Sequence, residues 1–123
     1  MTGVQTCALP IYDALGHLAG DKVLKAIADI LHARVRATDI AGRWGGEEFL
    51  LICPGTSAEG AHEVAENLRR LIEESDCSEV GRCTASFGIA SFRDDDSVTT
   101  IVARADQALY QAKENGRNRI EVL

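Results

Sequence analysis

Glu47 and Glu48 follow Gly45 and Gly46 directly, and the four residues stand between Ile40-Ala41 and the apolar run Phe49-Leu50-Leu51-Ile52-Cys53. Two adjacent carboxylates repel each other, whereas a hard divalent cation takes carboxylate and phosphate oxygens as ligands. Glycines without side chains let another molecule's backbone or phosphate come close. The stretch therefore suits a divalent cation carrying a polyphosphate. The plain alternative is that Glu47 and Glu48 are solvated turn residues. A glycine pair also supplies the positive φ angles of a tight hairpin, so strand, turn and strand are expected, with an acidic tip.

Other residues of chemical interest each have a structural explanation beside the functional one. Asp21, next to Gly20, can be a helix N-cap. His17 can be a packed or capping histidine. Arg36 and Asp39 can form a local ion pair near a helix end, worth at most about 1 kcal/mol on a surface. Lys113 and Arg117 stand at an i, i+4 spacing and can complement the dipole of a helix C-terminus.

In the elements that must position these residues, the apolar Val23, Leu24, Ile27, Ile30, Leu31 and Val35 recur every three or four positions and predict an amphipathic helix over 22–36. Pro54-Gly55 breaks the chain after the hairpin. Thr56 or Ser57 can cap the next helix, with Glu59 in capping-box position to Thr56, and that helix runs to about residue 74. Its stripe is Ala61, Val64, Ala65, Leu68, Leu71 and Ile72, while His62, Glu63, Glu66, Arg69 and Arg70 read as a solvated face. Residues 82–92 alternate as a strand, with Gly88 marking a bulge or a close backbone approach. Ser97 opens a last helix, Gly116 ends it as a C′ residue, and 118–123 form a closing strand. Asp94-Asp95-Asp96 reads as a solvated loop, since it lacks the ligand spacing of a calcium loop.

Composition narrows the function classes. A chain of 123 residues with 46% hydrophobic and 26% charged residues fits one globular domain. No apolar run reaches the roughly 18 residues of a membrane span, so no membrane contact by this segment is expected. A net charge of -6 disfavours a long nucleic acid, whose binding depends on neutralised phosphates, but leaves a single nucleotide open. Cys7, Cys53, Cys77 and Cys83 form no CxxC pair and read as free thiols of a reducing compartment, which points to the cytoplasm. Residues 1–12 carry no periodicity and look like translated adapter sequence, a non-native segment to be set apart from the domain at 13–123.

Arg43-Trp44-Gly45-Gly46-Glu47-Glu48-Phe49 resembles the signature of the GGDEF family of diguanylate cyclases, in its Glu variant. Gly16-His17, Gly20-Asp21, Ser86-Phe87-Gly88-Ile89-Ala90, Ala105-Asp106-Gln107-Ala108-Leu109-Tyr110, Lys113 and Gly116-Arg117-Asn118-Arg119 fall at the family's spacing. The resemblance implies an α+β fold, an antiparallel-centred sheet with packed helices like the palm of nucleotide cyclases. It implies a nucleotidyltransferase that condenses two GTP into cyclic di-GMP with Mg²⁺ or Mn²⁺, each of two chains presenting one GTP. By the same resemblance Glu47 and Glu48 bind metal and serve catalysis, and Asp21 accepts from guanine in a pocket lined by His17. Gly45 and Gly46 accommodate phosphate and ribose, and Lys113 and Arg117 bind the triphosphate. Arg36 and Asp39 match the inhibitory motif that holds product, and Asn67 replaces a further family arginine, so that Arg69 or Arg70 is expected to stand in. The family's first strand ends in a metal-binding Asp and leads to an Asn that contacts guanine. Here that strand is expected to be missing, and Tyr12 takes the place of the Asn. The alternative function is an inactive receptor of the same fold that binds cyclic di-GMP or GTP.

Overall fold

A computed structural model describes residues 4–10, 17–43, 48–75 and 84–123. Five strands, β1 (Val4–Pro10), β2 (Ile40–Arg43), β3 (Glu48–Pro54), β4 (Phe87–Ser91) and β5 (Ile120–Val122), form one sheet in the order β2-β3-β1-β4-β5. The helices are α1 (His17–Arg34), α2 (Ala58–Glu74) and α3 (Val98–Glu114). β1 pairs antiparallel with β3 and with β4, and β2 pairs antiparallel with β3. β4 and β5 run parallel, joined by α3 as the crossover that parallel neighbours require. The expected α+β fold with an antiparallel-centred sheet is what forms.

The middle strand is a correction to the sequence reading. Residues 1–12 lack periodicity and lead one to expect no element, yet Val4–Pro10 pairs with β3 from Val4↔Pro54 to Pro10↔Glu48. The reason lies in its neighbours. Without it, β3 and β4 would each turn a row of N–H and C=O groups into the gap, and a buried backbone group left unpaired costs about 1–3 kcal/mol. An uncharged segment containing Val4 and Thr6 can supply the missing ladder.

Side chains alternate across the sheet as the period of two requires. Phe49, Leu51 and Cys53 of β3 and Phe87 and Ile89 of β4 pack on one face with Ile27 and Leu31 of α1 and Ala61, Ala65, Leu68 and Ile72 of α2. Burial holds the Cys53 thiol up at about 11, so it behaves as a small apolar group. On the other face Ala90 packs with Ile101 and Ala105 of α3. Gly88 lies between these layers, where a Cβ would collide with the Ala105 carbonyl oxygen and the Leu109 nitrogen. The close approach anticipated from a glycine in a strand is thus the seat of α3 on β4. Gly88→Ala is expected to destabilise by about 1–3 kcal/mol, as overpacking against unyielding backbone does. Urea unfolding reads this, and an unchanged midpoint would mean α3 can shift freely.

Helix ends show which of the expected caps operate. Ser97 caps α3 in a full capping box with Thr100. Arg104 then locks this corner: it donates to both Asp96 oxygens, at 2.9 and 2.7 Å, and to the Ser91 carbonyl at 2.6 Å. These bonds, chiefly from Arg104, hold the Asp96 carboxyl well below the usual carboxylate range. Asp96 is therefore a structural residue, in contrast to the exposed Asp94 and Asp95 beside it. For α2 the cap is Ser57, whose hydroxyl accepts from Gly60 N, and the expected Thr56 and Glu59 box does not form. Thr56 has another partner, since its Oγ1 accepts from Arg36 Nη2 at 2.6 Å. α1 starts at His17 and not at 22, running through Gly20, so Asp21 lies inside the helix and is not its N-cap.

Candidate active site

The register brings Glu48, the start of α1 and the end of α3 to one end of the sheet. Glu48 opens β3 and stands across from Pro10, the last residue of β1. β1 is antiparallel to β4 with Ala8 opposite Gly88, so the end of β1 lies beside the start of β4. β5 is parallel to β4 with Ile120 beside Phe87, so residues 116–119, and the C-terminus of α3 before them, arrive at that same end. β3 and β5 are three strand spacings apart, roughly 14 Å, with the ends of β1 and β4 between Glu48 and the cations at the end of α3. α1 follows the connection from β1, and its far end is tied to Pro54 through Arg36. An 18-residue helix is about 27 Å long, so His17 and Asp21 belong to the Glu48 end. Gly45, Gly46 and Glu47 lie outside the described residues, as does Tyr12, while the strands flanking the tip are in antiparallel register from Ile40↔Ile52 to Arg43↔Phe49.

Lys113 occupies the last turn of α3, half-buried, and Arg117 lies exposed beyond the helix. Both therefore sit at the helix C-terminus, though only Lys113 is on the helix. Gly116 adopts φ 120°, and the Schellman closure is complete: Gly116 N donates to the Lys113 carbonyl at 3.4 Å and Arg117 N to the Ala112 carbonyl at 2.9 Å. The left-handed path continues beyond the glycine, with φ 64° at Arg117 and 46° at Asn118. Two turns back from Lys113, burial pushes the Asp106 carboxyl up, and the positive charge of Lys113 opposes that shift.

The far end of the β2–β3 hairpin holds the other charged pair. Arg36 Nη2 donates to Asp39 Oδ1 at 3.0 Å, and the Arg36 amide donates to Oδ2 at 2.9 Å. The same Nη2 reaches the Pro54 carbonyl at 3.1 Å. Asp39 is only 3% exposed in its side chain, whereas Arg36 is 56% exposed. Burial raises the Asp39 carboxyl, but the hydrogen bonds and charge of Arg36 outweigh it and leave the pKa below the usual value. Of the two arginines expected to compensate for Asn67, Arg69 is committed elsewhere: it donates to Glu66 at 2.6 and 2.9 Å and to Asn118 Oδ1 at 3.0 Å. Arg70 is the one beside Asn67, donating to its Oδ1 at 3.2 Å, and both line a cleft of about 450 Å³ with Arg34 and Glu74.

A five-stranded sheet of this order, with β2 and β3 antiparallel at one side and helices packed on both faces, has the palm-like α+β fold. The chain belongs to the GGDEF family: the family described as "Diguanylate cyclase, GGDEF domain" matches residues 10–119. Diguanylate cyclase A of Treponema denticola is 45% identical over 114 residues, covering 89% of this chain and 31% of that protein. Diguanylate cyclase DgcP of Pseudomonas aeruginosa is 45% identical over 115 residues, covering 91% of this chain and 17% of that protein. The chain thus spans less than a third of the length of either relative. The structure of the active GGEEF domain of a diguanylate cyclase from Vibrio cholerae superposes with a TM-score of 0.88 at 31% identity, covering 98% of this chain and 82% of that one. The GGDEF domain of DgcB from Caulobacter crescentus, in complex with c-di-GMP, also gives 0.88, at 30% identity and coverage of 98% and 78%. These spans take in β1, although the family match opens only at its last residue. Among the described residues no helix is long and apolar enough to cross a membrane.

Proposed function

We propose that this chain is built as the cyclase module of a diguanylate cyclase, a module that joins two GTP into cyclic di-GMP once β1 carries a carboxylate. Each 3′-hydroxyl attacks the α-phosphorus of the other GTP, two P–O bonds form, and two pyrophosphates leave. The observation that supports this most is the placement of Glu48 and the end of α3 at the same end of the sheet, carboxylate on one side and Lys113 and Arg117 on the other.

The divalent cation that the family implies would draw on an acidic donor set. Glu48, with Glu47 beside it in sequence, offers two carboxylates to a Mg²⁺ or Mn²⁺ that would bring nucleotide phosphates and water as its other ligands. Opposite Glu48, proline at position 10 adds no side-chain oxygen, so β1 offers no carboxylate there. Bound there, such an ion would polarise the α-phosphate and acidify the attacking hydroxyl. The remaining roles fall to the chain itself. Glu48 assists removal of the hydroxyl proton, Asp21 accepts from guanine's adjacent donors in a pocket bordered by His17, and Gly45 and Gly46 leave room for phosphate and ribose. Lys113 and Arg117 neutralise the charge that gathers on pyrophosphate as it leaves, an electrostatic contribution. Two chains must meet face to face, each with one GTP. We further infer that residues 1–12 are foreign to the family and that Val4–Pro10 among them fills the strand position, which the late opening of the family match supports.

Calorimetric titration tests the nucleotide reading. With Mg²⁺ present, GTP is expected to bind at least about tenfold more tightly than ATP, and Asp21→Ala to abolish the preference, because a carboxylate that reads donor groups rejects a base that lacks them. Equal affinities for GTP and ATP in the unaltered chain would refute it.

Arg36 and Asp39 are proposed to hold the product. Arg36 closes over Asp39 in the free protein, so product must draw the exposed guanidinium away before the carboxylate can accept from guanine. Located at the opposite end of β2 from the acidic tip, bound product would restrain two half-sites from meeting without occupying them, and inhibition would be noncompetitive with GTP. Arg36→Ala is expected to weaken cyclic di-GMP binding about ten- to a hundredfold, the loss of one charge-assisted contact. Unchanged affinity in calorimetry would place the product elsewhere.

A further inference from the structure

Resting on the reading of Lys113 and Arg117 as triphosphate ligands, we propose that Asn118 is the positioning residue for Arg117, and that it works by clamping the α3–β5 connection to α2. The geometry points to a device with two halves. The Schellman closure accounts for Gly116, but it ends at Arg117 N. Arg117 and Asn118 nevertheless continue in the left-handed region, which side chains other than asparagine and aspartate seldom enter.

What fixes them is the Asn118 side chain and amide. Oδ1 accepts from Arg69 Nη1 at 3.0 Å, Nδ2 donates to Glu73 Oε2 at 2.5 Å, and the backbone N–H donates to the hydroxyl of Ser86 at 3.2 Å. Each partner is itself held. Arg69 is only 17% exposed and is gripped by Glu66 in a two-bond fork, with Glu73 a turn further on at 3.5 Å. Ser86 is buried, immediately before β4. On the other side Phe87 N donates to the Arg119 carbonyl at 2.9 Å, and Arg119 Nε donates to the Arg117 carbonyl at 3.2 Å. The peptide units flanking Arg117 are thus tied to the end of α3 and to Ser86 just ahead of β4, and the Asn118 side chain ties them to α2, while the exposed Arg117 side chain lies at the Glu48 end of the sheet. Arg69 and Glu73 lie 49 and 45 positions from Asn118 in sequence. None of the three is assigned contact with nucleotide. They act through Arg117, by holding an unfavourable backbone that aims it.

The experiment reads the ratio of GTP to GMP affinity by calorimetry, since only the β and γ phosphates distinguish the two ligands. Asn118→Gly keeps access to the left-handed region while removing the amide, and Arg69→Gln removes the clamp from the α2 side. Each is expected to lower the ratio about tenfold, to leave GMP affinity unchanged, and to retain the circular dichroism of the unaltered chain. Arg117→Ala should lower it similarly, and Arg117→Ala combined with Asn118→Gly should fall no further, the non-additivity of residues acting as one unit. A ratio unchanged in Asn118→Gly and Arg69→Gln, or a double variant whose losses multiply, would overturn the clamp while leaving the triphosphate reading intact. A ratio near one in the unaltered chain would overturn the triphosphate reading itself, and the clamp with it.

Discussion

Replacing Pro10 with Asp and Tyr12 with Asn is expected to raise cyclic di-GMP synthesis by at least about a hundredfold over the unaltered chain, whose turnover should be little or none. Pro10 and Glu48 are direct partners in the β1–β3 ladder. Side chains so placed have Cβ atoms about 4.5–5.5 Å apart, close enough for two carboxylates to share one cation and close enough to repel without it. Adding the Asp therefore makes a second expectation that does not depend on turnover. The variant should melt lower than the unaltered chain in EDTA and recover as Mg²⁺ is added, because a cation that binds only the folded state stabilises it. The size of the rate effect follows from metal chemistry: a third carboxylate strengthens a site that must hold its ion against water while a phosphate is attacked. Position 12 adds the guanine contact that the family resemblance assigns to Asn. Equal turnover in the two proteins would show that a carboxylate on β1 is dispensable.

In that repaired background Glu48→Gln is expected to lower turnover by about 10³ while leaving the fold intact, and Glu47→Gln to do the same. Glutamine keeps the size and hydrogen-bonding capacity of glutamate but loses the charge, so the substitution isolates electrostatics from packing. Removal of one group that stabilises developing charge commonly costs about 10²–10³ in rate, and loss of a metal ligand adds to it. Glu48 is half-buried at the mouth of β3, away from the apolar cluster, so stability should move by no more than about 0.5 kcal/mol. Full rate in both variants, or unfolding of both, would contradict the assignment.

Much of this could be read from the residues, and the failures have physical causes. α2 and α3 were legible because an apolar stripe of period 3.6 coincides with Ser57 and Ser97 at their starts and Gly116 past the end of α3. The two strands of the acidic hairpin were legible for the same kind of reason, a glycine pair between apolar runs. β1 was not, because its place depends on β3 and β4, whose residues stand some forty to eighty positions away. Nothing local in a sequence reports a gap in a sheet. The first turns of α1 were missed because Gly20 lowers helix propensity, and an apolar pattern that begins at Val23 conceals a backbone helix starting at His17. Thr56 and Arg69 mislead in a related way. Thr56 has the look of a helix cap and Arg69 of a solvent-facing helix residue, and each is held by a partner distant in sequence, Arg36 and Asn118 respectively. Asn118 stood in plain view within the Gly116-Arg117-Asn118-Arg119 motif. The signal that could have singled it out is its type: after a C′ glycine, asparagine is the residue best suited to extend a left-handed path.

The most direct test of the central claim is to incubate the doubly substituted protein, Pro10→Asp with Tyr12→Asn, with GTP and Mg²⁺ and to quantify products by mass spectrometry over a range of protein concentrations. One cyclic di-GMP and two pyrophosphates should appear for every two GTP consumed, with a rate that rises as the square of protein concentration at the dilute end, because two chains must meet. Formation of GDP and phosphate, a linear dependence on protein at the dilute end, or no consumption of a GTP that calorimetry shows to be bound would contradict it.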